Sequence, residues 1–151
     1  MAKRRSLKSD TCPMARSLDI VGDQWSLLII RDAFDGMKRF GEFQQSLGVA
    51  KNILADRLKN LVQEGVLALA PASDGTMYQE YVLTPKGNGL FPVVVGLRHW
   101  GEQHLYGKGE AHSVLLEVFT SAGVGAVVVP AGGKGACPWL RRTRGRAPPA
   151  P

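Results

Sequence analysis

Residues 39–67 read RFGEFQQSLGVAKNILADRLKNLVQEGVL, and this stretch contains two short apolar patterns with a glycine between them. Side chains three, four and seven residues apart lie on one face of a helix. The first pattern follows that spacing, and its apolar residues are Phe40, Phe43 and Leu47. The second follows it too, and its apolar residues are Leu54, Leu58, Leu61 and Val62. Gly48 stands where the chain must turn between them, so the stretch predicts a helix-turn-helix.

The face of the second helix opposite those leucines is polar. Its residues are Asn52, Asp56, Lys59 and Gln63, and it is flanked by Lys51 and Arg57. Such a helix can enter the major groove of DNA while its apolar side packs on a core, which makes it the candidate recognition helix. A core helix with a solvated outer face has the same pattern, so the two helices alone leave both interpretations open.

Two strand-like segments follow, residues 66–70 and 78–83, and residues 74–75 between them are Asp-Gly. Asp-Gly between extended segments is typical of a β-hairpin. A helix-turn-helix followed directly by a hairpin is the order of elements in a winged helix, whose hairpin (the wing) can touch neighbouring DNA. Ser73 and Thr76 are the candidate wing contacts, although the wing has no Lys or Arg and predicts a weak phosphate clamp. An ordinary surface hairpin is the alternative.

Two helices are predicted before the helix-turn-helix. The first is Pro13–Val21, because proline suits the first helical position and Cys12 precedes it as the cap. The second is Gln24–Phe34, which Asp23 caps. This second helix is apolar on almost every side, so we expect it to be the central buried helix.

A further predicted helix begins at Thr84-Pro85 and runs to Trp100, with Pro92 as its expected kink. Its apolar residues cover more than one face, which is a wider surface than a small domain can bury on its own. We therefore expect a dimer interface between this helix and the first one. The residues assigned to that interface are Leu18, Leu90, Phe91, Val94, Leu97 and Trp100. Packing on the C-terminal segment alone is the alternative.

The net charge of +6 resides in the two ends of the 151-residue chain. Residues 1–12 sum to +3 and residues 134–151 to +5, which leaves −2 for the residues between them. Basic ends can hold phosphates through contacts that do not depend on base sequence, or they can simply favour solubility.

Composition and pattern divide the chain into four parts. Residues 1–11 form a basic N-terminal arm, and residues 12–106 form the winged-helix and dimerisation domain. Residues 107–130 form a small β extension, and residues 131–151, rich in Gly, Pro, Ala and Arg, predict a disordered basic tail. The expected fold class is mainly α with a small β part: a winged helix-turn-helix with a long C-terminal dimerisation helix and a small C-terminal β segment.

The sequence does not predict a membrane span, an enzyme, a cofactor or a metal site. No apolar run approaches the ~20 residues of a membrane helix, and the N-terminus lacks the apolar segment of a secretory signal. Residues 132–135, Gly-Gly-Lys-Gly, lack the Ser or Thr of a phosphate loop. His99, His104 and His112 belong to no metal motif and predict surface or interface positions. Two cysteines form no disulfide framework and fit a reducing cytosol.

Short sequence pieces follow one another in a specific order between residues 12 and 101. They include Cys12-Pro13, Gly22-Asp23, Trp25, Arg31-Asp32, Arg39-Phe40, Glu42-Phe43, Arg57-Leu58, Glu64-Gly65, Leu83-Thr84 and Trp100-Gly101. In this order and approximate spacing they resemble the HxlR family of bacterial winged-helix transcriptional regulators. The resemblance implies a cytoplasmic homodimer that binds a pseudo-palindromic operator in double-stranded DNA and represses transcription. Its two recognition helices would occupy successive major grooves.

The chemistry of the side chains assigns the predicted DNA contacts. In the major groove, Asn52 can pair with adenine, Asp56 can accept from cytosine, and Lys51 and Lys59 can donate to guanine or phosphate. Two arginines, Arg39 and Arg57, are expected to grip phosphate and set the register on the duplex. A winged helix that contacts another protein and does not recognise a DNA sequence is the rival interpretation.

Cys12 is the candidate sensor of a redox signal or of an electrophile or other small-molecule effector. A cysteine that caps a helix feels the helix dipole, which favours the thiolate, and Arg16 adds positive charge nearby. The resemblance implies the same role, because several family members sense oxidants or electrophiles through an N-terminal cysteine that matches Cys12. Simple packing between helices is the alternative, and a bridge to Cys137 also stays open.

Overall fold

The structure is a computed structural model that describes residues 5–120 and 123–130, and the side chains among these up to residue 113. It divides into two compact units, residues 1–98 and residues 99–151, which are considered separately. The first residues of the basic arm, the basic tail (residues 131–151) and Cys137 lie outside the described residues.

Two helices open the first unit with the predicted bounds. Helix α1 spans Pro13–Val21 and follows Cys12, whose side chain makes no cap hydrogen bond. Helix α2 spans Gln24–Phe34. The carboxylate of Asp23 caps α2, because its Oδ1 atom accepts from the backbone N–H groups of the second and third helical residues at 3.1 and 2.9 Å.

The predicted helix-turn-helix is confirmed. Helix α3 spans Phe40–Leu47 and helix α4 spans Lys51–Gln63. Gly48 lies between them with a φ of 62°, a left-handed conformation that glycine adopts without steric cost. The fully buried residues of the two helices are the predicted ones, Phe43, Leu54, Leu58 and Leu61, and they pack with Ile29 and Ile30 of α2. Helix α2 therefore forms the centre of the core, and α4 turns its polar face outward.

The predicted hairpin is also present. Strand β1 spans Leu67–Pro71 and pairs antiparallel with strand β2, Gln79–Leu83, in the register that sets Leu69 opposite Tyr81. The first strand starts one residue later than predicted, because the N–H of Val66 still donates to a carbonyl of α4. The first unit is thus a winged helix-turn-helix, and we call the hairpin, residues 67–83, the wing.

The helix predicted from Thr84 to Trp100 is wrong as a single helix. A short helix α5, Pro85–Asn88, is capped by the Thr84 hydroxyl, and a new helix α6, Phe91–His104, follows it. Residues 89–90 form a turn between the two helices. Pro92 lies at the second position of α6, where its missing N–H would have no partner, so it produces no kink.

A second two-stranded sheet lies in the second unit. Strand β3 spans Ser113–Thr120 and strand β4 spans Gly123–Pro130, and they pair antiparallel with Leu116 opposite Val127. These strands agree in position with the predicted β extension. Among the described residues, none of the helices has both the length and the apolar character that crossing a bilayer requires.

Candidate nucleic-acid interface

The outer face of α4 carries the predicted groove contacts together. Asn52, Asp56 and Lys59 are exposed, and Lys51 is exposed in the first turn of the same helix. The leucines on the opposite side are fully buried, so this polar face points away from the core. One helix therefore presents two lysines, an amide and a carboxylate to solvent, which are groups that can bond base edges and phosphates.

An apolar residue on this helix was missed by the sequence analysis. Ile53 lies between Asn52 and Asp56 on α4, and its side chain is 38% exposed. An exposed apolar group beside polar groove contacts can touch the methyl group of thymine. The sequence could have indicated it, because Ile53 does not follow the helical spacing of the buried leucines of α4 and so lies off their face.

Arg57 is not a free cation. Its Nε atom lies 3.2 Å from Oδ1 of Asp23, and its Nη1 atom donates to Oδ2 of Asp56 at 3.0 Å. The side chain is half-buried between these two carboxylates. The structure therefore places Arg57 in an ion-pair network, where the sequence analysis expected a phosphate contact.

Arg39 is also engaged, in this case with the wing. Its Nη2 atom forms an ion pair with Oδ2 of Asp74, and its guanidinium lies 5.8 Å from the centre of the Tyr78 ring. The other carboxylate oxygen of Asp74 accepts from the Thr76 hydroxyl at 2.7 Å and from the Thr76 N–H at 3.1 Å. These Thr76 hydrogen bonds and the bond from Arg39 lower the pKa of Asp74 from 3.8 to about 2. The same contact raises the pKa of Arg39.

A buried carboxylate, Glu80, lies near the loop end of the wing. It is only 5% exposed, and its Oε1 atom accepts from the Ser73 hydroxyl at 3.0 Å. Two cations stand near it, with Nζ of Lys38 at 3.9 Å and Nε of Arg39 at 4.0 Å. The hydroxyls of both candidate wing contacts, Ser73 and Thr76, thus bond acidic side chains of the wing itself. The sequence analysis gave Glu80 no role because strand alternation alone does not tell which face of the hairpin is buried.

An open polar cleft of about 280 Å³ lies beside the recognition helix. It separates the junction of α1 and α2 from the outer face of α4. Its lining residues are Asp19, Ile20, Asp23, Asp56, Arg57, Lys59, Asn60 and Gln63. The Arg57 network therefore borders solvent on the side where DNA contacts are expected.

The candidate sensor, Cys12, is exposed and not bonded to another cysteine. Its backbone N–H donates to Oδ1 of Asp10 at 2.8 Å. Arg16 lies one turn into α1, but its Nε atom donates to the backbone carbonyl of Asp10. Asp10 and Arg16 are thus both bonded to backbone groups of this segment, and the exposed thiol can be reached by reagents from solvent.

The residues assigned to a dimer interface fall into two groups. Leu18 is 41% exposed on α1, and Leu97 and Trp100 are 55% and 53% exposed on α6. Leu90, Phe91 and Val94 are partly buried within the chain, and the Phe91 ring packs edge-on against Phe34 at 5.2 Å. Val93, which was not assigned, is also exposed and stands one turn before Leu97 on the same side of α6.

The three histidines of the second unit lie at its surface or partly buried. The His104 ring stacks on Trp100 at 5.1 Å, His99 pairs with Gln103, and His112 lies against the Tyr106 ring. In the part of the chain that the structure describes, no three His, Cys, Asp or Glu side chains are grouped so that they could hold a metal ion.

A family described as HxlR-like helix-turn-helix matches residues 20–108, which is more than half of the chain and includes α2, the recognition helix, the wing and α6. The chain belongs to the HxlR family. This confirms the resemblance seen in the sequence, and the winged helix-turn-helix is the DNA-binding architecture of the transcriptional regulators in this family.

Related HxlR proteins support this assignment. The uncharacterized HTH-type transcriptional regulator Rv3095 of Mycobacterium tuberculosis is 40% identical over 92 residues, which cover 61% of this chain and 58% of that protein. The chain thus spans little more than half the length of this relative. The crystal structure of PA1607, a proposed transcription factor, has 55% identity and a TM-score of 0.70, covering 76% of this chain and 80% of that one. The redox regulator HypR in its reduced form has 28% identity and a TM-score of 0.57, covering 62% and 94%.

Proposed function

We propose that this HxlR protein is a sequence-specific DNA-binding transcriptional regulator, without enzymatic activity, that acts in the cytoplasm. The observation that carries the proposal is the outward polar face of α4, where Lys51, Asn52, Asp56 and Lys59 are exposed together above a fully buried row of leucines. A helix with that face, held by its back, can enter a major groove without disturbing the core.

Base recognition is assigned to the middle of α4. Asn52 bonds adenine, Asp56 accepts from cytosine, Ile53 contacts a thymine methyl group, and Lys59 donates to guanine or phosphate. The wing lies along the flanking backbone, where the Ser73 and Thr76 hydroxyls reach phosphate only by leaving their bonds to Glu80 and Asp74.

Operator binding requires two copies. The apolar residues Leu18, Leu97 and Trp100 are exposed. The partly buried residues of the proposed interface lie in or directly before α6, which also carries Leu97 and Trp100; they are Leu90, Phe91 and Val94. A symmetric dimer through α1 and α6 would cover this surface and would match a pseudo-palindromic operator, at which binding represses transcription.

The proposal is tested with the purified protein and its own upstream promoter fragment. Fluorescence anisotropy against excess non-specific duplex, over a range of salt, separates base recognition from charge attraction. We expect retained operator binding and a fall in affinity for Lys59→Ala, because one groove cation is lost while the fold is intact. Equal affinity for all sequences would favour the rival, a winged helix that contacts another protein.

A redox or electrophile response at Cys12 is the second part of the proposal. Its support is the exposed, unpaired thiol and the similarity to HypR, a redox regulator. We expect a thiol oxidant such as diamide, or an electrophile effector, to reduce operator binding reversibly in the wild type and not in Cys12→Ser. Modification of Cys12 without any change in operator affinity would contradict this response.

A further inference from the structure

We infer that Arg57 positions the recognition helix and its base-contacting carboxylate, Asp56, and does not contact DNA phosphate. The inference rests on the proposed function, because it concerns how the same α4 surface discriminates between bases. It assigns to Asp23, a residue outside the helix-turn-helix, a share in sequence specificity.

The first end of this contact is rigid. Oδ1 of Asp23 accepts from the N–H groups of Trp25 and Ser26 at 3.1 and 2.9 Å, and its Oδ2 accepts from the Ser26 hydroxyl at 2.5 Å. Ser26 is fully buried. The carboxylate is therefore fixed at the start of the central helix α2, and the Arg57 Nε atom lies 3.2 Å from it.

The second end is a candidate base contact. Nη1 of Arg57 donates to Oδ2 of Asp56 at 3.0 Å, while 71% of the Asp56 side chain remains exposed. This bond restricts the orientation of the carboxylate and leaves its other oxygen available for a base. It also compensates a negative charge that would otherwise repel nearby phosphates.

The guanidinium suits this bridge because its nitrogens point in fixed, different directions. Its Nη1 atom donates to Asp56, and its buried Nε atom lies 3.2 Å from Asp23 as an ion pair without a hydrogen bond. Only 34% of the side chain is exposed. A phosphate contact by Arg57 would therefore require at least one carboxylate to lose its partner. Lys51 and Lys59 are exposed on the same helix and form no ion pair among the described residues, so they are better placed for phosphate.

A matched set of variants tests the inference. Asp23→Asn keeps a good helix cap but removes the negative charge of the Asp23–Arg57 ion pair. Arg57→Gln removes the positive charge of the same pair. Dissociation constants of the wild type, both single variants and the double variant are measured on the operator, on its single-base variants and on non-specific duplex at several salt concentrations. Arg57→Lys keeps the charge but cannot bridge two carboxylates with fixed geometry, and Asp56→Ala identifies the base position that Asp56 contacts.

If Arg57 positions Asp56, both single variants lose about tenfold in discrimination at the base position that Asp56→Ala identifies, because the orientation of one base contact is lost. The double variant loses no more than either single one, Arg57→Lys does not restore discrimination, and the salt dependence stays that of the wild type. A general loss of stability would not single out one base position.

Two results would overturn the inference. One is a slope of log K against log salt that becomes shallower by about 0.9 in Arg57→Gln, the signature of one lost phosphate contact, with unchanged discrimination in Asp23→Asn. If the wild type itself shows no preference for any sequence, the proposed function fails, and urea unfolding then decides whether the bridge exists. Strictly additive effects of Asp23→Asn and Arg57→Gln on the free energy of unfolding would disprove it.

Discussion

At the scale of single residues, two aspartates pair with the two arginines that the sequence predicted as phosphate contacts. Asp23 and Asp74 each accept backbone N–H bonds and each also faces an arginine. Arg57 and Arg39 are thereby partly neutralised, although the sequence analysis counted both as phosphate contacts. On the side that the proposed function turns toward DNA, the unpaired positive charge is therefore smaller than the number of basic residues suggests.

Removing the wing carboxylate should release Arg39. We expect Asp74→Asn to bind non-specific duplex more tightly and to show a salt slope steeper by about 0.9, because one more cation can then meet phosphate. Glu110→Gln, which removes the same charge from the second unit, is the control for net charge. An unchanged slope in Asp74→Asn would mean that Arg39 stays on the wing without its partner.

The acidity of Asp74 should depend on Thr76 first. The pKa of the Asp74 carboxyl is about 2 in the folded protein, below its ordinary value of 3.8. The contacts of Asp74 therefore make their full contribution to the stability of the fold above about pH 4. That contribution disappears as the pH falls through about 2. We expect Thr76→Ala to raise the pKa of Asp74, as followed by carboxyl carbon NMR titration, because the hydroxyl bond is its largest single cause. An unchanged pKa in Thr76→Ala would make the ion pair with Arg39 the main cause.

At the scale of elements, the recognition helix depends on the row of leucines behind it. Leu58 is fully buried, so Leu58→Ala should lower the free energy of unfolding by about 2–5 kcal/mol, as measured by urea denaturation. Leu69→Ala removes the same atoms from a half-exposed site on β1 and should cost much less. Similar losses in the free energy of unfolding for both variants would contradict the half-exposed position of Leu69 on the wing.

Helices and strands whose signals lie in residues close together along the chain could be predicted from the sequence. Helical spacing and the caps Asp23 and Gly48 are local signals, and they predicted α1 to α4 closely. The break between α5 and α6 was missed because the prediction joined the Thr84-Pro85 start to the apolar run from Leu90 on, although residues 87–89, Gly-Asn-Gly, lie between them as a signal of a turn. The ion pairs were missed for a different reason: Arg39 and Asp74, like Asp23 and Arg57, meet only after the chain has folded.

At the scale of the whole molecule, the exposed side of α6 is the surface through which copies would associate in the proposed dimer. Val93, Leu97 and Trp100 recur four and three residues apart, so they form one apolar stripe along the helix, about half of which is exposed. A stripe of that kind is costly to leave in water, at roughly 25 cal/mol per Å² of apolar surface. In the proposed dimer, association through this stripe would set the spacing between the two recognition helices.

A charge within the stripe should separate the copies. We expect Leu97→Glu to be monomeric at concentrations where the wild type is dimeric in sedimentation equilibrium, because the interface would bury a carboxylate without a partner. Operator affinity should fall with it, since a monomer reaches only one half-site. His99→Glu adds the same charge to an exposed position on another side of α6 and should leave the dimer intact. A folded Leu97→Glu variant that still dimerises as the wild type does would exclude this stripe as the interface.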